Sequence, residues 1–201
     1  MPRDPEPTRQ RILDAALERF ATNGLSGTSL REIRLAAKQA NAGALHYHFG
    51  DKDGLLRALL ERELPLLVDR RRDLLAEATD LRSVAAVFVQ PFPELATGTE
   101  HERRVVQFLS QLHDDVSLSI EDIGALIGET GTREAFQLLL PLVPDMPREV
   151  LGERVRVGIN SYLHASAIWA KGQRRAHLVS DELFRRNIVD MFVGALVAVA
   201  T

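Results

Sequence analysis

The stretch Thr28-Ser-Leu-Arg-Glu-Ile-Arg-Leu-Ala-Ala-Lys-Gln-Ala-Asn-Ala-Gly-Ala-Leu-His-Tyr-His-Phe-Gly-Asp-Lys-Asp-Gly-Leu-Leu56 decides the fold. Ser29 and Glu32 have the spacing of a capping box, in which each side chain satisfies the other's backbone amide. They open a short helix whose Leu30, Ile33 and Ala37 share one face. Lys38 to Asn41 carries no apolar period and reads as a turn. A third short helix is predicted over Ala42–Phe49, with Leu45 and Phe49 inward. Gly50-Asp51 then ends one helix, and Asp51 caps the next, which starts at Lys52.

Upstream, a first helix is predicted from about Thr8 to Asn23. Ile12, Leu13, Ala16, Leu17 and Phe20 form its apolar face, and Gly24 is placed to terminate it. Before it, Met1–Thr8 is charged and proline-rich, lacks an apolar core, and reads as a disordered arm. Downstream, a long helix from Lys52 carries Leu55, Leu56, Leu59, Leu60, Leu64, Leu67 and Leu74. Pro65 should kink it or end its first half. Further helices are predicted at about 81–96, 101–114, 119–129, 132–142, 149–172 and 180–199, punctuated by prolines at 91/93 and 141/144/147. No strand or hairpin signal interrupts them. The fold class is all-α.

Composition narrows the function classes. The 201 residues contain no cysteine, so disulfides, thiol catalysis and cysteine-ligated zinc are excluded. The apolar run Ile188–Ala200 is short of the roughly 20 residues of a membrane span, and Asp190 interrupts it; a cytoplasmic protein is expected. The net charge of −3 conceals an asymmetry. Residues 1–60 hold nine Lys/Arg against seven Asp/Glu, leaving sixteen against twenty-one for the remainder. A nucleic acid responds to that local field. No phosphate-binding glycine loop, G-x-S-x-G elbow or H-E-x-x-H motif supports an enzyme. Asp114/Asp115 and Glu121/Asp122 are adjacent carboxylates, not convergent pairs.

The quoted stretch resembles the helix-turn-helix signature of TetR-type transcription regulators. In that family an opening helix is followed by T-[TS]-x-R-[DE]-I, a turn, an A/T-L-x-Y-H-F recognition helix, and [SD]-K-[ED]-x-L-L opening helix four. The resemblance covers roughly residues 8–60. Two departures bear on how the third helix is presented. The Thr28–Phe49 spacing is one residue longer than the commonest one, and Lys38 stands where a turn glycine is usual.

The resemblance implies an N-terminal helix-turn-helix head, residues 1–50 and ordered from about 8, followed by a larger helical domain, 51–201, for ligand binding and dimerisation. A recognition helix enters the major groove N-terminus first. Ala42, Gly43 and Ala44 are small enough for close approach, and Asn41 and His46 can hydrogen-bond base edges. Tyr47, His48 and Lys52, with Thr28, Ser29 and Arg31, are assigned to phosphates. His46 and His48 are two residues apart and point to different helix sides, so no metal site is expected, and no cofactor. Arg70-Arg71-Arg72 reads as a solvated helix face.

For the C-terminal part the expected partners are a second copy of the chain, through helices 149–172 and 180–199, and a small-molecule effector. A purely intramolecular core would also satisfy both helices. Phe88, Phe92, Phe108, Phe136, Tyr162 and Trp169 are candidates to line an apolar pocket, with His113, Asn160 and His164 as polar handles. Ordinary core packing accounts for each of them as well. The function so read is a repressor that binds a palindromic DNA operator as a homodimer and is released by a small molecule. The alternative is a helical enzyme or interaction protein without DNA binding.

Overall fold

The computed structural model describes residues 6–39, 41, 43–112, 131–172 and 178–199. The expected helix at 119–129, and the carboxylates at 114, 115, 121 and 122, lie outside them. Every regular element among the described residues is helical.

The head is built as its local signals dictate. Helix α1 (Glu6–Asn23) ends at Gly24, whose φ of +78° is the left-handed conformation that glycine adopts without penalty. Helix α2 (Leu30–Ala36) begins with the capping box between Ser29 and Glu32. It ends in a Schellman turn: the Lys38 amide donates to Leu35 O and the Gln39 amide to Arg34 O, each at 3.0 Å. Lys38 occupies the left-handed position of that turn, with φ +53°. Helix α3 (Gly43–Phe49) follows, and then α4 (Lys52–Glu63), capped by Asp51 through a 2.8 Å bond from the Gly54 amide.

Proline sets the next breaks. Pro65 opens α5 (Pro65–Ala76), so the long helix expected from Lys52 is two helices that meet at Leu64. Pro91 likewise divides the expected 81–96 helix into α6 (Leu81–Val89) and α7 (Pro91–Thr97). After α8 (Glu100–Leu112) come α9 (Arg133–Leu139) with a 3₁₀ turn at Leu140–Leu142, α10 (Arg148–Lys171) and α11 (Asp181–Val197).

Two apolar clusters hold these helices. The first joins the inner faces of α1 to α4 to Phe92 and Leu95 of α7, Val105, Phe108 and Leu109 of α8, and Leu163 and Ala170 of α10. Phe20 of α1 stacks on Phe108 of α8 at 6.1 Å between ring centres. The second unites α6, α9, α10 and α11 around Phe88 and Phe192, and Ile159 packs against both. At the α10–α11 crossing, a Cβ added to Gly158 would stand 2.7 Å from Phe192 Cδ2 and closer still to Cε2. Only a glycine lets the two helices approach this closely.

The arginine run at 70–72 is not a solvated face. Successive helical residues point about 100° apart, so three in a row do not share a side. Arg72 is exposed, while Arg70 pairs with Glu94 and Glu102. Arg71 is 2% exposed. Its Nε donates to Val87 O at 3.2 Å, and its guanidinium lies 5.5 Å from the Phe92 ring centre. Burial pushes its pKa down to about 10.

Candidate nucleic-acid interface

Helix α3 is anchored by few residues and offers the rest to solvent. Leu45 is buried in the first cluster. Phe49 is half-buried, with the Arg9 guanidinium 5.6 Å from its ring centre. The start of α3 is held by Asn41, whose Oδ1 accepts from the Gly43 amide at 2.9 Å. Asn41, Gly43, His46 and Tyr47 are exposed, and Ala44 and His48 half-exposed. Tyr47 is 80% exposed, with its ring edge-on to that of His48 at 5.1 Å. Ala42 lies outside the described residues.

His46 is oriented by its own helix end. Its Nδ1 stands 2.7 Å from Gly50 O. A carbonyl only accepts, so Nδ1 carries the hydrogen, and the neutral ring presents Nε2 as an acceptor. Such a group matches the exocyclic amines of adenine and cytosine in the major groove.

The residues assigned to phosphate divide. Arg31 is exposed and has no ion pair among the described residues. Ser29 gives both its amide and its hydroxyl to Glu32 at 2.7 Å. Those two bonds hold the Glu32 carboxyl below its ordinary pKa. Thr28 is buried, and its hydroxyl donates to Gly24 O at 2.8 Å, closing the loop between α1 and α2. Lys52 turns inward: Nζ donates to Leu25 O at 2.6 Å and lies 5.9 Å from the Phe20 ring centre. An ammonium has three donors, so two remain for an anion.

Two features of the interface carry no sequence signal that marks them. A Cβ on Gly54 would lie 3.1 Å from the carbonyl carbon of Phe49, and nearer its oxygen, so glycine lets α3 end directly against α4. At the far end of α4, Glu63 is 1% exposed. It accepts from Arg62 Nε at 2.7 Å and contacts His101 Nε2 of α8 at 2.9 Å. Arg62 also reaches Asp14 of α1 at 2.8 Å. This series of polar contacts connects α1, α4 and α8, and only the fold brings residues 14, 62, 63 and 101 together.

The described candidate pocket residues divide between the two apolar clusters. Phe92 and Phe108 are buried in the first cluster. Tyr162 meets Phe192 edge-on, and burial raises its pKa. Trp169 stacks on Phe184 at 3.9 Å and donates to Asp181 at 3.0 Å. His164 is exposed and Asn160 half-buried. Phe88 and Phe136 do share a cleft of about 520 Å³. His113 lies outside the described residues. No cluster of metal-ligating side chains occurs among the described residues.

A family model described as bacterial regulatory proteins, tetR family, matches residues 12–59. The HTH-type transcriptional regulator BetI of Burkholderia cenocepacia (strain HI2424) is 31% identical over 144 residues, 68% of this chain and 72% of BetI. The HTH-type transcriptional regulator SrpR of Pseudomonas putida is 44% identical over 70 residues. That match spans 34% of this chain and 32% of SrpR. NalD, the secondary repressor of the MexAB-OprM multidrug efflux pump in Pseudomonas aeruginosa, superposes with a TM-score of 0.67 at 23% identity, covering 96% of this chain and 97% of NalD. FadR of Bacillus subtilis, solved in complex with stearoyl-CoA, superposes with a TM-score of 0.63 at 14% identity, covering 92% and 98%. At these identities the two superpositions speak for the fold alone.

Proposed function

The chain belongs to the tetR family of bacterial regulatory proteins, and from that premise we propose that it is a ligand-released repressor acting as a homodimer. That it is a DNA-binding transcriptional regulator and not an enzyme follows from the family. The exposure of α3 carries the rest of the reading. Tyr47, 80% exposed, stands beside exposed Asn41, Gly43 and His46 on a helix anchored by Leu45, a row of hydrogen-bonding groups free to meet a nucleic acid.

Asn41, Gly43, Ala44 and His46 address base edges, while Tyr47, His48, Arg31 and the remaining Lys52 donors address phosphates. Ser29 joins them only by giving up Glu32, and Thr28 positions the loop from within. We place Ala42 with the base-facing residues on sequence alone. In the cell the reading is cytoplasmic; no helix among the described residues is long and apolar enough to cross a membrane.

Dimerisation is supported by apolar residues that the single chain leaves uncovered. On α10, Val157 and Ile168 are 47% and 58% exposed, and on α11 Leu183 and Met191 are 47% and 54%. Their spacing puts each pair on one helix face. Arg154 of α10 donates to Ala195 O at 2.9 Å, tying the end of α11 to α10, so both faces move as one platform. A twofold pairing there presents two α3 helices to successive major grooves, about 34–36 Å apart.

Ligand binding in the part after residue 50 would be transmitted to the head through α8, His101, Glu63 and Arg62. Operator affinity then falls by the ligand's preference for the released state. That a fold neighbour was solved with stearoyl-CoA, and that another is a repressor, supports effector binding and repression by analogy.

The test is fluorescence anisotropy with the DNA upstream of the protein's own gene, across a salt series, with sedimentation of the free protein. Salt-sensitive binding to a palindrome by a dimer is expected. Tyr47→Ala should weaken it roughly tenfold without lowering the melting temperature. A monomer, or no salt-sensitive binding to any palindromic site, refutes the proposal.

A further inference from the structure

The cleft shared by Phe88 and Phe136 combines apolar side chains with arginines. It lies between α6, α9 and α10. Phe88 and Val155, 1% and 7% exposed, belong to the second core and form an apolar floor. Phe136 and Ile159 line the same space. At Gly152 an added Cβ would meet only Phe136 Cζ, at 4.0 Å, so among the described residues no other side chain stands close above it. The volume of about 520 Å³ falls within the range of small-molecule sites.

The lining cations are of two kinds. Arg156 is answered by Glu153 at 2.5 Å. Arg133 and Arg148 have no ion pair among the described residues, whereas Arg70, Arg72, Arg82, Arg104 and Arg186 all do. Each stands at the first residue of its helix, α9 and α10, where the helix dipole disfavours a cation. Arg148 is held 5.9 Å from the Phe136 ring centre, over an aromatic residue of the cleft. The neighbouring Glu134 and Glu149 are exposed and do not line the cleft. Two guanidinium groups with no ion pair among the described residues, set against an apolar floor, complement one kind of molecule. It has an apolar body to displace water from the phenylalanines, and a carboxylate that an arginine grips through paired N–H donors.

We infer that this cleft binds an amphipathic carboxylate as the effector, its apolar body on Phe88, Phe136, Val155 and Ile159 and its anionic end on Arg133 and Arg148. The inference rests on the reading of the chain as an effector-released regulator. It narrows the effector to anions and gives it a place distinct from the aromatic interior around Phe108 and Trp169.

Isothermal titration calorimetry with decanoate, decyltrimethylammonium and 1-decanol, each below its micelle concentration, tests it on the full chain. Decanoate should bind about tenfold more tightly than either comparator. The exposed double variant Arg133→Gln/Arg148→Gln should lose that preference and still bind operator. Gly152→Leu, which fills the cleft, should abolish decanoate binding. Equal binding of the three probes overturns the inference, as does a preference for decanoate that survives both variants, or no binding of decanoate at all. The operator assay is run beside it. Decanoate that binds the cleft without releasing DNA refutes effector release and leaves the site standing. Loss of decanoate binding alone leaves the DNA-binding reading untouched.

Discussion

Gly158→Ala sets two effects of opposite sign against each other. In a helix interior, alanine is favoured over glycine by roughly 0.8–1.0 kcal/mol. The new methyl, however, would lie 2.7 Å from Phe192 Cδ2 and nearer Cε2. Phe192 is fully buried, with Phe88 at 6.1 Å and Tyr162 at 5.9 Å, both edge-on. The ring therefore has nowhere to swing, and α10 and α11 must separate. Overpacking of a close core costs about 1–3 kcal/mol, and disturbing either aromatic pair adds roughly 0.5–1.5 kcal/mol. The clash wins, and a net loss of about 2 kcal/mol is expected. For a chain of this size that lowers the melting temperature by roughly 4–8 °C. Gly152→Ala, six residues earlier in the same helix, is the control. Its methyl makes only an ordinary contact, so it should gain about 0.5–1 kcal/mol. Urea unfolding of both variants at one protein concentration decides the matter. If Gly158→Ala is as stable as the parent, the close approach is not a constraint and the reasoning fails.

Lys38→Gly removes a left-handed non-glycine from the turn before α3 and should stabilise the head by about 1 kcal/mol; an unchanged melting curve would contradict the strain. Gly54→Ala forces a methyl against the Phe49 carbonyl and should cost roughly 1–3 kcal/mol, with weaker operator binding in the anisotropy assay. The Glu32 and Asp80 carboxyls titrate below their ordinary values, because Ser29 and Ser83 hydrogen-bond their charged forms. Their contribution to stability is therefore present above about pH 4 and lost as pH falls through the lower folded values. Glu32→Gln should flatten the acid limb of stability against pH, and an unaltered slope would show that the cap contributes nothing.

Local signals were legible in the sequence, and long-range ones were not. The stop at Gly24, the cap at Ser29, the cap at Asp51 and the break at Pro65 each depend on a few neighbouring residues. All four stand where the sequence puts them. The exposed face of α3 was legible for the same reason, since Leu45 and Phe49 define its inner side. The direction of Lys52 was not, because its partner, Leu25 O, is 27 residues away. The burial of Arg71 depends on α6 and α7 packing over α5, and nothing within the run 70–72 encodes that. The aromatic residues stayed open between core and pocket for a related reason. Apolar side chains at helical spacing mark what is inside, and do not distinguish a filled core from the wall of a cleft. That Phe88 and Phe136 border a cleft depends on how α6, α9 and α10 pack.

The first apolar cluster runs without interruption from Ile12 to Ala170, and this bears on how such a protein can be recombined. A graft that exchanges residues 1–50 for the head of a relative would keep every hydrogen bond within the head. It would also tear Phe20 from Phe108, and Asp14 from Arg62. The incoming α1 would need an aromatic at the first position and an acceptor at the second, or the chimera would carry an unfilled seam along α8. On the proposed reading, new operator specificities should therefore be sought by changing the outward residues of α3 in place. Inheritance faces the same restriction: in this chain α1 and the surfaces of α4 and α8 on which it packs change together or not at all.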